Sequence, residues 1–134
     1  MRASQFIVEG KEENANVVEM FKKFLPLAME ILKLNNLPKM EFVTKVDDTD
    51  QPTFGSYSNS ERVLKVALTG RHPNDILRTV AHELTHYKQD INDELNNDSG
   101  DTGSNEENEA NATAGIIMRH FNNLYPEYLR SKPL

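Results

Sequence analysis

His82-Glu83-Leu84-Thr85-His86 places two imidazoles and a carboxylate within one short stretch of chain. On an α-helix four residues advance by about 400°, so the two His leave the same face about 40° apart. Imidazoles in that relation can hold one Zn²⁺. Glu83 then stands beside the ion without having to ligate it, which suits a base for water activated there. The competing reading is a helix whose two His are solvated or satisfied in the core. A catalytic zinc site takes three protein ligands and keeps a fourth position open. Cys is absent, so the third ligand has to be His, Asp or Glu. Glu106-Glu107-Asn108-Glu109 follows a polar stretch and opens a second predicted helix. A carboxylate there reaches the ion if the two helices cross, and the small Ala110, Ala114 and Gly115 would permit the approach. The same acidic residues would also complement the positive end of the helix dipole with no metal present.

His82-Glu83-x-x-His86 followed by Glu107-x-x-Ala110-Asn111 resembles the gluzincin metallopeptidases, in particular the ImmA/IrrE-type and minimal gluzincin proteins. The resemblance spans about residues 60–120. It implies zinc-dependent peptide hydrolysis, with His82, His86 and Glu107 as metal ligands and Glu83 as the catalytic base. It also implies that Asn111 supports a motif-helix His by hydrogen bonding. Glu109 is the competing ligand if the register is shifted by two. Two features depart from the family. Ala112-Thr113-Ala114-Gly115 replaces its Ala-rich, Phe-containing segment, and no residue matches its oxyanion stabiliser. Tyr57 and Tyr87 are candidates for that donor, although Tyr87, adjacent to His86, is expected to pack. His72, just before the motif helix, is a further candidate to face the cleft. His120 reads as surface.

The elements that must position these groups follow from hydrophobic spacing. Val17, Met20, Phe21, Phe24, Leu25, Ala28, Ile31 and Leu32 form a helical stripe over about 13–35, with a kink or break expected at Pro26. Residues 40–46 alternate as a strand. Phe54 to Ser58 and Arg62 to Leu68 read as a hairpin about Ser58-Asn59-Ser60. Pro73 opens the motif helix, whose apolar stripe is Ile76, Leu77, Val80, Ala81, Leu84 and Ile91. Residues 96–105 contain no apolar side chain and form a loop. The last helix runs from about Glu106 to Leu124 with Ala110, Ala114, Ile117, Met118 and Phe121 on one side, and Pro126 stops it. The expected fold is α+β and zincin-like: an N-terminal helix, a small antiparallel sheet, the H-E-x-x-H helix and the C-terminal Glu-bearing helix. The expected organisation is an arm at 1–12, a single domain at 13–125 and a loosely held tail at 126–134. Either hairpin strand would be available to bind substrate backbone by strand addition.

With 134 residues the chain has the size of one domain. No Cys means no disulfide scaffold, Cys-based zinc finger, iron–sulfur site or thiol nucleophile. The net charge of −6 disfavours nucleic acid as a partner. No apolar run approaches the roughly 20 residues of a membrane span, and the first residues are too short and acidic for a secretory signal. Residues 98–109 have Asp98, Gly103 and Glu109 in calcium-loop positions, but Gly100 and Thr102 stand where ligands are needed. The acidic stretch 92–105 would disfavour acidic substrates electrostatically. The expected partner is a peptide or protein substrate. A non-catalytic alternative is a zinc-stabilised structural or interaction protein. Arg2 to Glu9 is similar to short leaders on proteins of tailed phages, some of them virion parts. That likeness implies a phage protein, cytoplasmic or virion-associated, with Phe6-Ile7-Val8 in the arm docking on an assembly partner.

Overall fold

A computed structural model describes residues 11–43, 54–93 and 104–133. Helix α1 (Lys11–Leu32) is followed by strands β1 (Lys39–Val43), β2 (Gly55–Ser58) and β3 (Val63–Ala67). Helices α2 (Pro73–Ile91) and α3 (Asn105–Leu124) come next, then a short 3₁₀ helix, Pro126–Arg130. The architecture is α+β, three helices and a small three-stranded mixed sheet. No helix among the described residues is long and apolar enough to cross a membrane. Most of the N-terminal arm, the strand residues 44–46 and the polar loop up to 103 lie outside the described residues, as does most of the calcium-loop stretch.

α1 buries Val17, Met20, Phe21, Phe24, Leu25, Ala28 and Leu32 in the core. It is a single helix continuous through Pro26 rather than two shorter ones. Pro26 lies on the exposed face, where water can take the carbonyl that its missing N–H leaves unbonded. The helix ends at Leu32, before Asn35-Asn36. Lys33 turns into the left-handed region at φ 57° and the Leu34 N–H bonds the Met29 carbonyl at 2.9 Å. This closure buries Leu34 against the core in the manner of a Schellman cap.

The strand order is β1-β3-β2, and the sheet is not antiparallel throughout. β2 and β3 form the expected antiparallel hairpin, Gly55 opposite Val66 and Ser58 opposite Val63. β1 pairs parallel to β3, Lys39 opposite Val63 and Val43 opposite Ala67. The tight turn fixes the first pairing locally. The second depends on a connection that carries the chain from one edge of β3 to the other, which alternation of residue types does not report. Central β3 is consequently the most buried strand, with Leu64 and Val66 fully covered.

α2 starts at His72, whose Nδ1 accepts from the Asn74 N–H at 3.0 Å, with Pro73 in the first turn. Its stripe Ile76, Leu77, Val80, Ala81 and Leu84 is fully buried. Ile91 is not part of it: it is the last helical residue and is exposed, as are Asn92 and Asp93 after it. α3 starts at Ser104, whose hydroxyl accepts from the Glu107 N–H at 3.1 Å. Ala110, Ala114, Ile117, Met118 and Phe121 are buried. α2 packs more extensively against α3 than against any other element. Ala110 and Ala114 serve that close approach, whereas a Cβ at Gly115 would meet nothing within 4 Å. The segment after Pro126 does not hang loose. Tyr128 stacks on Phe121 with ring centroids 5.6 Å apart, and its hydroxyl accepts from Lys23 Nζ at 3.3 Å.

Gly55 brings β2 against α2. A Cβ there would overlap Thr79 Cγ2 and sit 3.3 Å from the Lys65 carbonyl oxygen. Thr79 cannot turn away freely, because its Oγ1 accepts from Arg71 Nη2 at 2.6 Å and donates to the Asp75 carbonyl at 3.1 Å. Gly55→Ala is therefore expected to cost about 1–3 kcal/mol in denaturant unfolding, the usual range for overpacking. Thr79→Ser removes the obstructing methyl and keeps the hydroxyl, so the double variant should regain most of the loss. Absence of loss, or of recovery, would contradict this account of the contact.

Candidate metal centre

α2 carries His82 and His86 one turn apart, and α3 crosses it so that Glu107 faces both. Glu107 Oε1 lies 2.9 Å from His82 Nε2 and Glu107 Oε2 lies 3.0 Å from His86 Nε2. The two Nε2 atoms are 3.2 Å apart. One ligand atom from each residue falls within 4.8 Å of the others, so the three could hold a metal ion. Glu107 uses its backbone N–H for the Ser104 cap and its carboxylate for the imidazoles. Helix capping alone does not require the second contact.

Gln89, fully buried, determines how His86 presents itself. Its Nε2 donates to the Glu106 carbonyl and to Glu109 Oε1, each at 2.9 Å. Both partners only accept, so the amide oxygen must face His86 Nδ1, at 2.8 Å. The network therefore assigns a proton to His86 Nδ1, so that the neutral ring presents its lone pair at Nε2, toward Glu107 and His82. Fixing a ligand tautomer from behind is the usual work of such a partner. Burial lowers the His82 pKa, against the opposing pull of the Glu107 carboxylate, and so favours the neutral ring that a metal needs. Asn111 hydrogen-bonds the His82 side chain. Two imidazole nitrogens facing each other at this separation, with a carboxylate across from both, form a donor set that a cation satisfies.

Glu83 sits beside the cluster, its Oε1 3.9 Å from His82 Nε2. It is 6% exposed, and its Oε2 has no hydrogen-bond partner. Burial, with the Glu107 charge in second place, pushes its carboxyl up to about 8. A cavity of about 370 Å³ opens here, lined by Gly55, Arg78, Thr79, His82, Glu83, Asn111 and Ala114. Glu83 and His82, the cluster member nearest the opening, thus line one recess.

The remaining candidates lie elsewhere. Glu109 is exposed and engages Gln89, so Glu107 is the carboxylate that meets the imidazoles. His72 is the α2 cap and is not among the cavity-lining residues. The Tyr57 hydroxyl donates to Asp90 Oδ2, and that of buried Tyr87 donates to Asn36 Oδ1. Both are committed away from the cavity. His120 is exposed on α3. Three contributors were not singled out from sequence: Gln89, Arg78 and Gly55. Gln89 lies three residues after His86 in a helical repeat, so the spacing carried a signal for it. In comparisons with known protein families, curated proteins and solved structures, no match to this chain is found.

In the metal-free protein Glu83 gives a signed expectation. Its folded pKa is raised above the ordinary 4.5, so the fold favours the neutral acid. That stability is fully present below pH 4.5 and is lost as pH rises through about 8. Glu83→Gln removes the ionisation. In EDTA its unfolding free energy should exceed the parent's by an amount that grows by a few kcal/mol between pH 5 and pH 8. A difference constant across that range would contradict the burial argument.

Proposed function

We propose that this protein is a zinc-dependent peptide hydrolase of zincin-like architecture. The observation that carries the reading is a cluster of two imidazoles and a carboxylate on a common point, bordered at His82 by a recess whose lining also includes the buried Glu83. A two-nitrogen, one-carboxylate donor set without thiolate suits zinc with an open position, as in hydrolytic sites. Zinc bound there would polarise a scissile carbonyl and acidify a water molecule.

The chain's own groups supply the rest. Glu83 accepts a proton from the attacking water on its carboxylate and delivers it to the departing amine. A carboxyl raised to about 8 is matched to both transfers near neutrality. Gln89 and Asn111 hold the His86 and His82 rings in place. Of the two hairpin strands, β3 is paired on both sides, whereas β2 has one neighbour among the described residues and reaches the cavity through Gly55. β2 is therefore the strand on which an extended substrate would add.

A second reading, a zinc-stabilised structural or interaction protein, is favoured by one observation. Neither candidate Tyr hydroxyl is free to stabilise an oxyanion. One set of samples separates the two. Protein reconstituted with one equivalent of zinc and incubated with a mixed peptide pool is expected to cleave peptides, as read by mass spectrometry. Glu83→Gln should retain zinc and lose about 10²-fold or more in rate, and His82→Ala should lose zinc. Retained zinc without cleavage would favour the structural reading. Failure to retain zinc, or cleavage indifferent to Glu83→Gln, would overturn the hydrolase.

A further inference from the structure

Arg71 and Arg78 lie at the N-terminal end of α2 and differ in what they touch. Arg71 is saturated. Its Nη1 donates to the Ala67 carbonyl at 3.0 Å and the Phe54 carbonyl at 3.4 Å. Its Nη2 donates to Asp75 O at 3.1 Å and Thr79 Oγ1 at 2.6 Å, and the guanidinium stands 4.4 Å over the Phe54 ring. It fastens the hairpin to α2. Arg78 has no hydrogen bond or ion pair with any described residue, and it is exposed. It nonetheless lines the recess and is the one lysine or arginine among the described residues that does so.

Its place sets what it can read. Arg78 precedes His82 by four residues, so it lies on the same face about 6 Å away along the helix axis. A peptide extended along β2 advances about 3.3 Å per residue. The Arg78 backbone is therefore offset from His82 by about two residues of such a peptide. That offset, together with its exposure, separates it from the reacting carbonyl. A guanidinium with free donors recognises carboxylate through paired hydrogen bonds. The net charge of −6 works against acidic ligands at long range, so a local cation in the recess is what would admit them.

We infer that Arg78 is a specificity-determining residue that binds a substrate carboxylate about two residues from the scissile bond. The carboxylate belongs to an acidic side chain or to the peptide's C-terminus. This rests on the hydrolase reading for its geometry, yet binding tests it separately. Zinc-reconstituted Glu83→Gln protein, which holds substrate without turnover, is titrated with fluorescein-labelled alanine-rich octapeptides. One series has blocked ends and carries Glu or Gln at successive positions, and another has Gln only with a free C-terminus. At one register Glu should bind about tenfold tighter than Gln. Adding Arg78→Gln should bring that ratio to about one and leave the Gln peptides unchanged, while Arg78→Lys keeps part of the preference. Preference for the free C-terminus, lost in the same way, assigns the carboxylate to the chain end. The proposal is overturned if Glu and Gln peptides bind equally and the free C-terminus confers no advantage, if either preference survives Arg78→Gln, if all peptides are weakened equally, or if none binds. Failure of the parent zinc protein to cleave any of these peptides would count against hydrolysis alone, since the binding ratio is read without turnover.

Discussion

The crossing of α2 and α3 is the constraint on which the candidate site depends. His82 and His86 are brought together by helical geometry alone, but Glu107 comes from a separate element beyond a polar stretch of sequence. Two alanines make the meeting possible. Ala110 and Ala114 are buried where the helices touch, and a larger side chain at either would hold the axes apart. Gln89 ties the same crossing together from the other direction, spanning from His86 to the Glu106 carbonyl and Glu109. The contact that closes the fold thus also assembles the ligand set.

Several polar choices are costly for folding taken alone. A carboxyl with an unpaired oxygen is buried at Glu83, and two imidazoles face each other at close range. Buried polar groups are ordinarily satisfied. The Glu83 and imidazole departures lie side by side, which is what a functional site looks like when its ligand supplies the missing partner. Asn74 Oδ1 and Asn122 Oδ1 are also buried without a partner, away from the recess lining. Phe21, Phe24 and Phe121 fill the core, and Arg71 ties the hairpin to the motif helix.

Much of this was legible in the residues. The 3.6-residue stripes of all three helices, the Pro73 start and the 58–60 turn follow from local physics. The whole apolar side of α3, from Ala110 to Phe121, is buried as its spacing predicts. The candidate cluster was legible as well: His82 and His86 have a spacing that metal chemistry constrains, and the resemblance implied Glu107. What escaped depends on partners distant in sequence. The parallel pairing of β1 is a matter of chain path, and the tolerance of Pro26 depends on which face meets water. Tyr128 docks because Phe121 and Lys23 wait for it. Arg78 carries no signal of its own until the recess is seen, and Gly55, within the expected strand, acquires a reason only when Thr79 is placed beside it.

The most direct measurement is the zinc X-ray absorption spectrum of protein reconstituted with one equivalent of metal and then desalted. The account predicts retained zinc in a nitrogen and oxygen shell at about 2.0–2.1 Å, with outer-shell scattering from two imidazoles that falls to one in His86→Ala. Metal lost on desalting, or a shell without imidazole scattering, would contradict the claim that α2 and α3 meet to build a metal centre.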